Sequence, residues 1–296
     1  MAGATRRLID LLNLARGYLQ EKGVDNPRGD AESLLGKALG LPRIELYLQH
    51  DRPLSEDEVT AFRDLLRRRG RREPLQLILG EVEFAGTRLE IVPGLLIPRS
   101  ETEQLTVWIR DEIRAAVNAR AIRVLDIGCG TGCIGVALAA SDPRISVDAV
   151  DIEFDALRCA SRNAVRNQVA GRVHTLHADV MNARFVEHVL PPYDWVVSNP
   201  PYIARGDYAG LQPEVRDHEP ERALIGGITG IEFYERLAQL LPRLLSAGGR
   251  FAFEIGAGQA KAVIACCGDV APDVRVDRDL AGIPRVVHGQ LGGDRA

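Results

Sequence analysis

Residues 123–132 read RVLDIGCGTG, and this stretch decides the expected fold. The run Arg123–Ile127 is strand-like, a turn rich in glycine follows it directly, and a helical pattern begins after the turn. The glycines of the turn are Gly128, Gly130 and Gly132. Glycine permits a tight turn and lets a ligand touch the backbone. Strand, glycine turn and helix in this order are typical of a nucleotide-type cofactor site, although the pattern alone does not identify the cofactor.

The sequence on both sides of this stretch alternates between strand-like and helix-like runs. Helical patterns begin near Cys133, Asp155 and Ile231. The strand-like runs around them are RVLDI, SVDAVDI, VHTLHADV, YDWVVS and RFAFEIG, with shorter ones near Val274 and at Arg285–Val287. Such alternation predicts an α/β domain, a mostly parallel sheet with helices on both faces.

Three aspartates end three consecutive predicted strands: Asp126, Asp151 and Asp179. Ligands of an open α/β sheet bind at the carboxyl ends of its strands, so the three carboxylates are expected at one site. Asp126 beside the glycine turn would repel a pyrophosphate but suits a cationic ligand. Asp151 is placed to accept hydrogen bonds from ribose hydroxyls, and Asp179 to face an adenine amino group. S-adenosylmethionine, which carries a sulfonium and an ammonium group, fits this set of charges.

The fourth strand runs into Asn199-Pro200-Pro201-Tyr202 at the same edge of the sheet. Proline fixes its own φ and restricts the residue before it, so the Asn199 side-chain oxygen and the Pro200 carbonyl are expected to be held rigidly. Two fixed acceptors can hold both hydrogens of a planar NH2 group and stabilise the positive charge that grows on nitrogen during attack. Tyr202 can cover one face of that group. These residues predict methylation of the nitrogen of a planar NH2 group, either of an amide or of an aromatic amine.

The N-terminal part has a different pattern. Leucine and alanine recur at three- and four-residue spacing between Thr5 and Arg72, which predicts four or five short helices. A capping box at Ser55 and Glu58 is expected to begin the last of them. Alternating runs between Gly80 and Ser100 predict a β-hairpin. The expected domains are a helical substrate-recognition domain at 1–78, a hairpin linker at 79–100 and a catalytic domain at 101–296.

Composition excludes several classes of protein. The chain has 296 residues, 46% hydrophobic and 26% charged, and no apolar run approaches the ~20 residues of a membrane span. Its first residues resemble neither a signal nor a transit peptide, so a cytoplasmic location is expected. Five cysteines without a CxxC pair indicate neither a disulfide framework nor a metal site. A net charge of -4 argues against a nucleic-acid binder.

The chain resembles the glutamine-side-chain methyltransferases that modify class 1 peptide chain release factors. The matching stretches span nearly the whole length and are DAESLLGKALGLPRIELYLQHDRPL, LGEVEFAGTRLEIVPGLLIPRSETE, LDIGCGTGCIGVALA, AVDIEFDALRCASRNAVRN, SNPPYI, LQPEVRDHEPERAL and FEIGAGQ. Departures from the family pattern are Leu77, Ser100 and Ile225.

The resemblance implies a class I S-adenosylmethionine-dependent methyltransferase fold, Rossmann-like with a seven-stranded sheet, and a small N-terminal helical domain. It implies the glutamine of a Gly-Gly-Gln loop in a release factor as substrate, and S-adenosylhomocysteine as product. The enzyme is expected to act as a monomer. The implied catalytic residues are Asn199, Pro200 and Tyr202, and Pro201 joins them in binding the substrate. The implied cofactor contacts are Gly128, Gly130, Gly132, Asp151 and Asp179, and contacts from Asp126 and Asn199 are expected as well.

Several alternatives stay open at this point. An amino-methylating DNA enzyme or a ribosomal-protein glutamine methyltransferase would use the same loop chemistry, and a non-catalytic cofactor-binding module is a third alternative. Arg99, with Glu101 and Glu103, belongs either to an interdomain salt bridge or to a wall of the active site. The run Arg67–Arg72 is interpreted as a solvated helix end, and Cys133 as a packing residue. His174 and His177 face opposite sides of a strand, so they predict no metal site.

Overall fold

The structure, a computed structural model, describes residues 7–116 and 120–292. The chain divides into two units. The first contains the chain up to Gly80 and a later segment, Gln212–His218, and the second contains Glu81–Leu211 and the chain from Glu219 onward. The sequence analysis did not place Gln212–His218 with the N-terminal helices.

The N-terminal helices of the first unit form because leucines at helical spacing bury one face of each helix. In the described residues before Gly80 the helices are α1 (Leu8–Glu21), α2 (Pro27–Leu39), α3 (Arg43–Leu48), α4 (Glu56–Gly70) and α5 (Leu75–Leu79). The capping box is present, since the Glu58 N–H donates to Ser55 Oγ at 3.3 Å and the Ser55 N–H donates to Glu58 Oε2 at 2.9 Å. It begins α4, which is the last helix of the predicted helical stretch ending at Arg72, so this prediction is confirmed; the five-residue α5 lies beyond that stretch.

The arginines at the end of α4 do not behave alike. Arg67 is solvated, as the sequence analysis expected, and the structure places it 3.4 Å from Asp64. Arg69 is buried, and that expectation was wrong for it. Its guanidinium lies 2.6 Å from the buried carboxylate of Asp30 and 3.1 Å from Glu214, in the later segment of this unit. A buried charge needs such partners, because desolvation without them costs several kilocalories.

The second unit begins with the predicted hairpin, β1 (Glu81–Phe84) and β2 (Thr87–Glu90). Its central sheet has seven strands among the described residues, in the order β10-β11-β9-β6-β3-β4-β5. They are β3 (Ile122–Ile127), β4 (Ile145–Asp151), β5 (Val173–His177), β6 (Tyr193–Ser198), β9 (Leu245–Glu254), β10 (Arg275–Arg278) and β11 (Pro284–Gln290). Strand β11 is antiparallel to both of its neighbours, and the other pairs are parallel. The predicted mostly parallel, seven-stranded α/β fold is confirmed.

Helices cover both faces of this sheet. They are α6 (Ser100–Ala115), α7 (Cys133–Ser141), α8 (Phe154–Arg166), α11 (Glu232–Leu244) and α12 (Ala260–Gly268). Strand alternation divides the core, so that Val124 packs on the side of α6, α7 and α8 while Leu125 packs on the side of α11 and α12. Shorter elements follow β6: strand β7 (Ile203–Ala204), helices α9 (Pro213–Arg216) and α10 (Glu221–Leu224), and strand β8 (Ile225–Gly227).

Residues 7–116 and 120–292 lack two features. No helix there is long and apolar enough to cross a membrane. No group of three or more His, Cys, Asp or Glu side chains there could hold a metal ion.

Candidate active site

A cavity of about 420 Å³ opens at the carboxyl ends of the parallel strands β3, β4 and β6. This is the edge at which ligands bind in open α/β sheets. Its walls include residues of the glycine turn, the ends of β4 and β5, and the loop after β6. Those that the sequence analysis named are Gly128, Gly130, Asp151, Asp179, Asn199 and Pro201.

The glycine turn needs glycine for two reasons. Gly128, Gly130 and Gly132 have φ of +72°, +53° and +78°, a region that side-chain-bearing residues rarely adopt. A Cβ on Gly132 would also lie 2.8 Å from the Cβ of Ala160 on α8, so this glycine permits close helix packing. A Cβ on Gly128 or Gly130 would meet no atom within 4 Å. The first two glycines therefore leave backbone exposed to a ligand in the cavity.

Asp151 links the end of β4 to this turn. Its Oδ2 accepts a hydrogen bond from the Gly130 N–H at 2.9 Å, and its Oδ1 accepts one from the Glu153 N–H at 2.9 Å. Burial raises the pKa of Asp151, and these two hydrogen bonds oppose that rise. Each oxygen keeps a further lone pair for a ligand. Asp179, after β5, accepts from the Met181 N–H at 2.8 Å and faces the same cavity.

The charged residues on the described cavity wall are mostly acidic: Asp151, Glu153, Asp179 and Arg222. Arg222 lies 3.0 Å from Glu153, so its charge is already paired. Like charges in a partly desolvated site repel, and a ligand with phosphate groups would meet this acidic wall without a free cation beside it. The wall suits a cationic ligand.

Asp126 occupies a different place from the one that the sequence predicted. It is 1% exposed and is absent from the described cavity wall. Its Oδ2 accepts from the Gly135 N–H of α7 at 3.1 Å, and its Oδ1 has no partner among the described residues. Burial raises the pKa of Asp126 from 3.8 to about 7. Its side chain thus supports the helix behind the glycine turn and makes no wall of the cavity.

We expect Asp126→Asn to stabilise the protein at neutral pH. Ionised Asp126 is disfavoured in the folded state, so the unfolding free energy should fall as pH rises from about 4 to 7. This decrease in unfolding free energy amounts to at most about 4 kcal/mol, at about 1.4 kcal/mol per pKa unit, and should be absent in the variant. Urea unfolding of both proteins between pH 4 and pH 8 measures the unfolding free energy at each pH. Equal pH slopes in the two proteins would contradict this assignment.

Asn199 directly follows β6 and lines the cavity, and its side chain is held by a hydrogen bond to Thr102. Its Nδ2 donates to Thr102 Oγ1 at 2.9 Å, and Thr102 Oγ1 donates to Glu254 Oε2 at 2.5 Å. Thr102 and Glu254 are each 1% exposed. Because the amino end of Asn199 is bonded to Thr102, its carbonyl oxygen is turned away from Thr102.

The rest of the Asn199-Pro200-Pro201-Tyr202 loop packs closely against two glycines and accepts a hydrogen bond from Gln259. A Cβ on Gly226 would collide with the Pro201 carbonyl, and one on Gly230 with the Tyr202 carbonyl. Gln259 Nε2 donates to the Tyr202 carbonyl at 2.8 Å. The backbone of the loop is therefore closely supported at several points.

Pro200 is buried, and Tyr202 is half-buried against the core on the α11 side of the sheet. Tyr202 and Pro200 are absent from the described cavity wall, whereas Asn199 and Pro201 belong to it. Burial raises the pKa of Tyr202 to about 12. Its hydroxyl is therefore protonated at neutral pH and cannot serve as a base there.

The segment before α6 contributes to the cavity through residues that the sequence analysis did not select. Pro98 and Thr102 line it. Arg99 pairs with the buried carboxylate of Glu219 in the same unit. Glu103 accepts from the Ala85 N–H of the hairpin turn at 2.9 Å, and Glu101 lies 3.7 Å from Arg285.

Thr102, Glu254 and Gln259 were missed in the sequence. The signal for Glu254 was a carboxylate within the otherwise apolar run Phe251–Ile255. Thr102 carries no comparable signal, because threonine is common in helices and its partner is 152 residues away. Cys133 is buried on the cavity wall, and burial raises its pKa, in agreement with a packing role.

Comparison with known proteins identifies the family. Residues 10–80 match the PrmC N-terminal domain and residues 113–211 match the methyltransferase small domain. A release factor glutamine methyltransferase of Geobacter sulfurreducens is 42% identical, over 95% of this chain and 96% of its own length. One from Chlorobaculum tepidum is 40% identical over 94% and 95%. The human MTRF1L release factor glutamine methyltransferase is 33% identical over 96% and 88%.

Solved structures agree on the fold. The catalytic domain of human Mettl16, in complex with an RNA hairpin, has a TM-score of 0.55 at 18% identity, over 78% of this chain and 83% of that one. A Thermus thermophilus 16S rRNA methyltransferase (RsmC), in complex with AdoMet and guanosine, has a TM-score of 0.52 at 15% identity, over 71% and 49%. A methyltransferase domain implies S-adenosylmethionine as methyl donor. With relatives of this identity over nearly its full length, the chain belongs to the release factor glutamine methyltransferase family.

Proposed function

We propose that this protein transfers a methyl group from S-adenosylmethionine to the side-chain amide nitrogen of the glutamine in the Gly-Gly-Gln motif of class 1 peptide chain release factors. The product of the donor is S-adenosylhomocysteine. The observation that carries this proposal is that Asn199 lies on the wall of the same cavity as Asp151 and Asp179, with its carboxamide held at a fixed angle by Thr102. Family membership supplies the substrate class.

The cavity fits the donor in charge and in shape. Asp151 and Asp179 lie at adjacent strand ends, where their free lone pairs can accept hydrogen bonds from ribose hydroxyls and from an adenine amino group. Gly128 and Gly130 leave room for a ligand against the backbone. When bound, the donor supplies a methyl group on a positively charged sulfur, and the acidic wall tolerates that charge.

The amide nitrogen of glutamine is a weak nucleophile, because its lone pair is delocalised into the carbonyl group. The Asn199 side-chain oxygen and the Pro200 carbonyl are proposed to accept its two hydrogens. They would stabilise the positive charge that grows on nitrogen and orient its lone pair toward the donor. The closely supported backbone of the loop favours this role, since preorganised acceptors need no rearrangement during the reaction.

A groove adjoining the cavity supports a polypeptide substrate. It has a volume of about 560 Å³ and shares Met181, Pro220, Arg222 and Phe233 with the cavity wall. Gly226 and Gly227 form part of its lining. An extended segment of chain that presents one glutamine side chain could lie in this groove.

The first unit is proposed to recognise the folded release factor. Its match to the PrmC N-terminal domain supports this role, as do the exposed apolar side chains of Ile44 and Leu48 on α3. We further propose that the enzyme acts as a monomer in the cytoplasm, where release factors work, without binding nucleic acid. The net charge of -4 favours the last of these points.

The decisive experiment is mass mapping of a class 1 release factor after incubation with the enzyme and S-adenosylmethionine. We expect a gain of one methyl group on the glutamine of the Gly-Gly-Gln motif. A synthetic Gly-Gly-Gln peptide in parallel should react more slowly, if the first unit recognises the folded factor. Methylation of a ribosomal protein or of DNA instead, with an unmodified release factor, would overturn the proposal.

Tyr202 offers a test of what the aromatic ring does. We expect Tyr202→Phe to be nearly neutral, because contact with the amide face needs the ring and not the protonated hydroxyl. Tyr202→Ala should slow methylation about tenfold, since it removes the ring that positions the substrate, and it should lower stability through lost packing. Single-turnover rates and thermal unfolding of both variants separate the two effects. A slow Tyr202→Phe enzyme would assign a role to the hydroxyl.

A further inference from the structure

The hydrogen bonds of Thr102 have a direction that bears on the chemistry at Asn199. A threonine hydroxyl has one proton to donate and lone pairs to accept with. Glu254, when ionised, can only accept, and it lies 2.5 Å from Thr102 Oγ1. The hydroxyl proton is therefore directed to Glu254, which leaves a lone pair of Thr102 to accept from the Asn199 amino group at 2.9 Å.

We infer that Glu254 and Thr102 are positioning residues that fix which end of the Asn199 carboxamide faces the substrate amide. This inference rests on the proposed function. The asparagine carboxamide can rotate by about 180° around the Cβ–Cγ bond. This rotation exchanges its oxygen and its NH2 group, which are similar in shape but have opposite hydrogen-bonding roles. With its amino end held by Thr102, Asn199 presents its oxygen, an acceptor, to the hydrogens of the substrate NH2. In the rotated orientation, Asn199 would present its NH2 group, a donor, to the substrate NH2 group, which is also a donor.

Protonation of Glu254 removes this constraint. A neutral carboxyl group can donate to Thr102, whose own proton is then free to turn toward Asn199 and bond to its oxygen. Burial raises the pKa of Glu254 to about 7, so this change occurs near neutrality. The correct orientation is held above that pH and is lost as the pH falls below it.

Other groups around Glu254 set the background for its titration. Arg285 and Arg99 favour its ionised form, and Glu101 disfavours it. The neighbours that also interact electrostatically with it are Tyr202, Tyr234 and Cys133, whose pKa values are all raised by burial. None of the three neutral groups titrates near pH 7, so Glu254 is the member of this cluster that can switch there. The pKa of Asp126 is also raised to about 7, but its carboxylate is bonded to the Gly135 N–H of α7, and Glu254→Gln separates the two titrations.

The test compares single-turnover methylation by wild-type enzyme and three variants between pH 6 and pH 8.5. The wild-type rate should rise about tenfold across this range, following one ionisation near pH 7. Glu254→Gln should lose this rise. Thr102→Val should lose it too and be slowed about threefold to tenfold at pH 8.5, because one oriented hydrogen bond is removed. Thr102→Ser, which keeps the hydroxyl, should retain both rate and pH profile.

Thr106→Val is the matched control. Thr106 lies one turn further along α6, is buried and donates to the Thr102 carbonyl at 2.8 Å, without contact to Asn199. This variant should keep the wild-type pH profile. A Glu254→Gln enzyme with the wild-type pH profile, or a Thr102→Val enzyme with wild-type rate at every pH, would overturn the inference and leave Thr102 and Glu254 with a purely structural role.

A second measurement needs no substrate. In free enzyme labelled with ¹⁵N-asparagine, the Asn199 side-chain NH2 signal, identified by its loss in Asn199→Ala, should shift with a midpoint near pH 7. It should not shift in Glu254→Gln. If this titration is seen but wild-type enzyme leaves the release factor unmethylated, the proposed function fails and the positioning of Asn199 stands. If methylation proceeds without the titration, the positioning fails alone.

Discussion

Asn199→Ala should reduce single-turnover methylation of a release factor about 100-fold to 1000-fold, the usual loss when one oriented acceptor at a developing charge is removed. Its affinity for S-adenosylmethionine should change little, because the ribose and adenine contacts are assigned to Asp151 and Asp179. Rapid-quench kinetics with saturating enzyme, together with calorimetry for the cofactor, measure the two quantities separately.

Asn182→Ala provides the matched control for this substitution. Asn182 is exposed, caps a short turn by accepting from the Arg184 N–H at 2.9 Å, and is absent from the described cavity wall. It should methylate at the wild-type rate. If Asn199→Ala kept more than about a tenth of the wild-type rate, the two-acceptor mechanism would be wrong, and the amide would have to be activated in another way.

Asp151→Ala should weaken binding of S-adenosylmethionine about 10-fold to 100-fold, because hydrogen bonds to a charged acceptor in a partly buried site are lost. The same substitution removes the carboxylate that accepts from the N–H groups of Gly130 and Glu153, so part of the loss will come from a looser glycine turn. Isothermal calorimetry on the free enzyme gives the dissociation constant directly.

Asp155→Ala, four residues further on, is the comparison that isolates this effect. Asp155 is exposed on α8, pairs with Arg158, and takes no part in the described cavity wall. Its removal should leave cofactor affinity unchanged. A dissociation constant in Asp151→Ala equal to that of wild type would remove Asp151 from the cofactor site.

The sequence predicted the parts of this protein that depend on local order along the chain. The turn at Gly128–Gly132 follows a strand and precedes a helix, so its geometry could be expected from neighbouring residues alone. The strand ends at Asp151, Asp179 and Asn199 could be placed at one edge because parallel strands share their direction. Alternation of strands and helices predicted the sheet, which the structure confirms. The roles of these residues in binding and catalysis stay predictions.

What could not be predicted depends on strand register and on distant pairing. In the parallel register of β3 and β4, Asp126 pairs with Ala149, two residues before Asp151, so its carboxylate lies below the strand ends and accepts from the Gly135 N–H of α7 instead of lining the cavity. The bond between Thr102 and Glu254 joins residues 152 positions apart, and nothing near either residue specifies the other. The grouping of Gln212–His218 with the N-terminal helices is a similar case, because this segment lies in the middle of the catalytic part of the chain.

That segment also bears on how the protein is made. Arg69 and Glu214 are 145 positions apart, so on the ribosome the helices before Gly80 emerge long before the carboxylate that completes their buried charge cluster. Of these two carboxylates, Asp30 is the one that Arg69 can pair with until Glu214 is synthesised. The helical unit is thus finished late in translation, although it comes first in the sequence. A cut after Gly80 would separate Arg69 from Glu214 and leave this charge cluster incomplete.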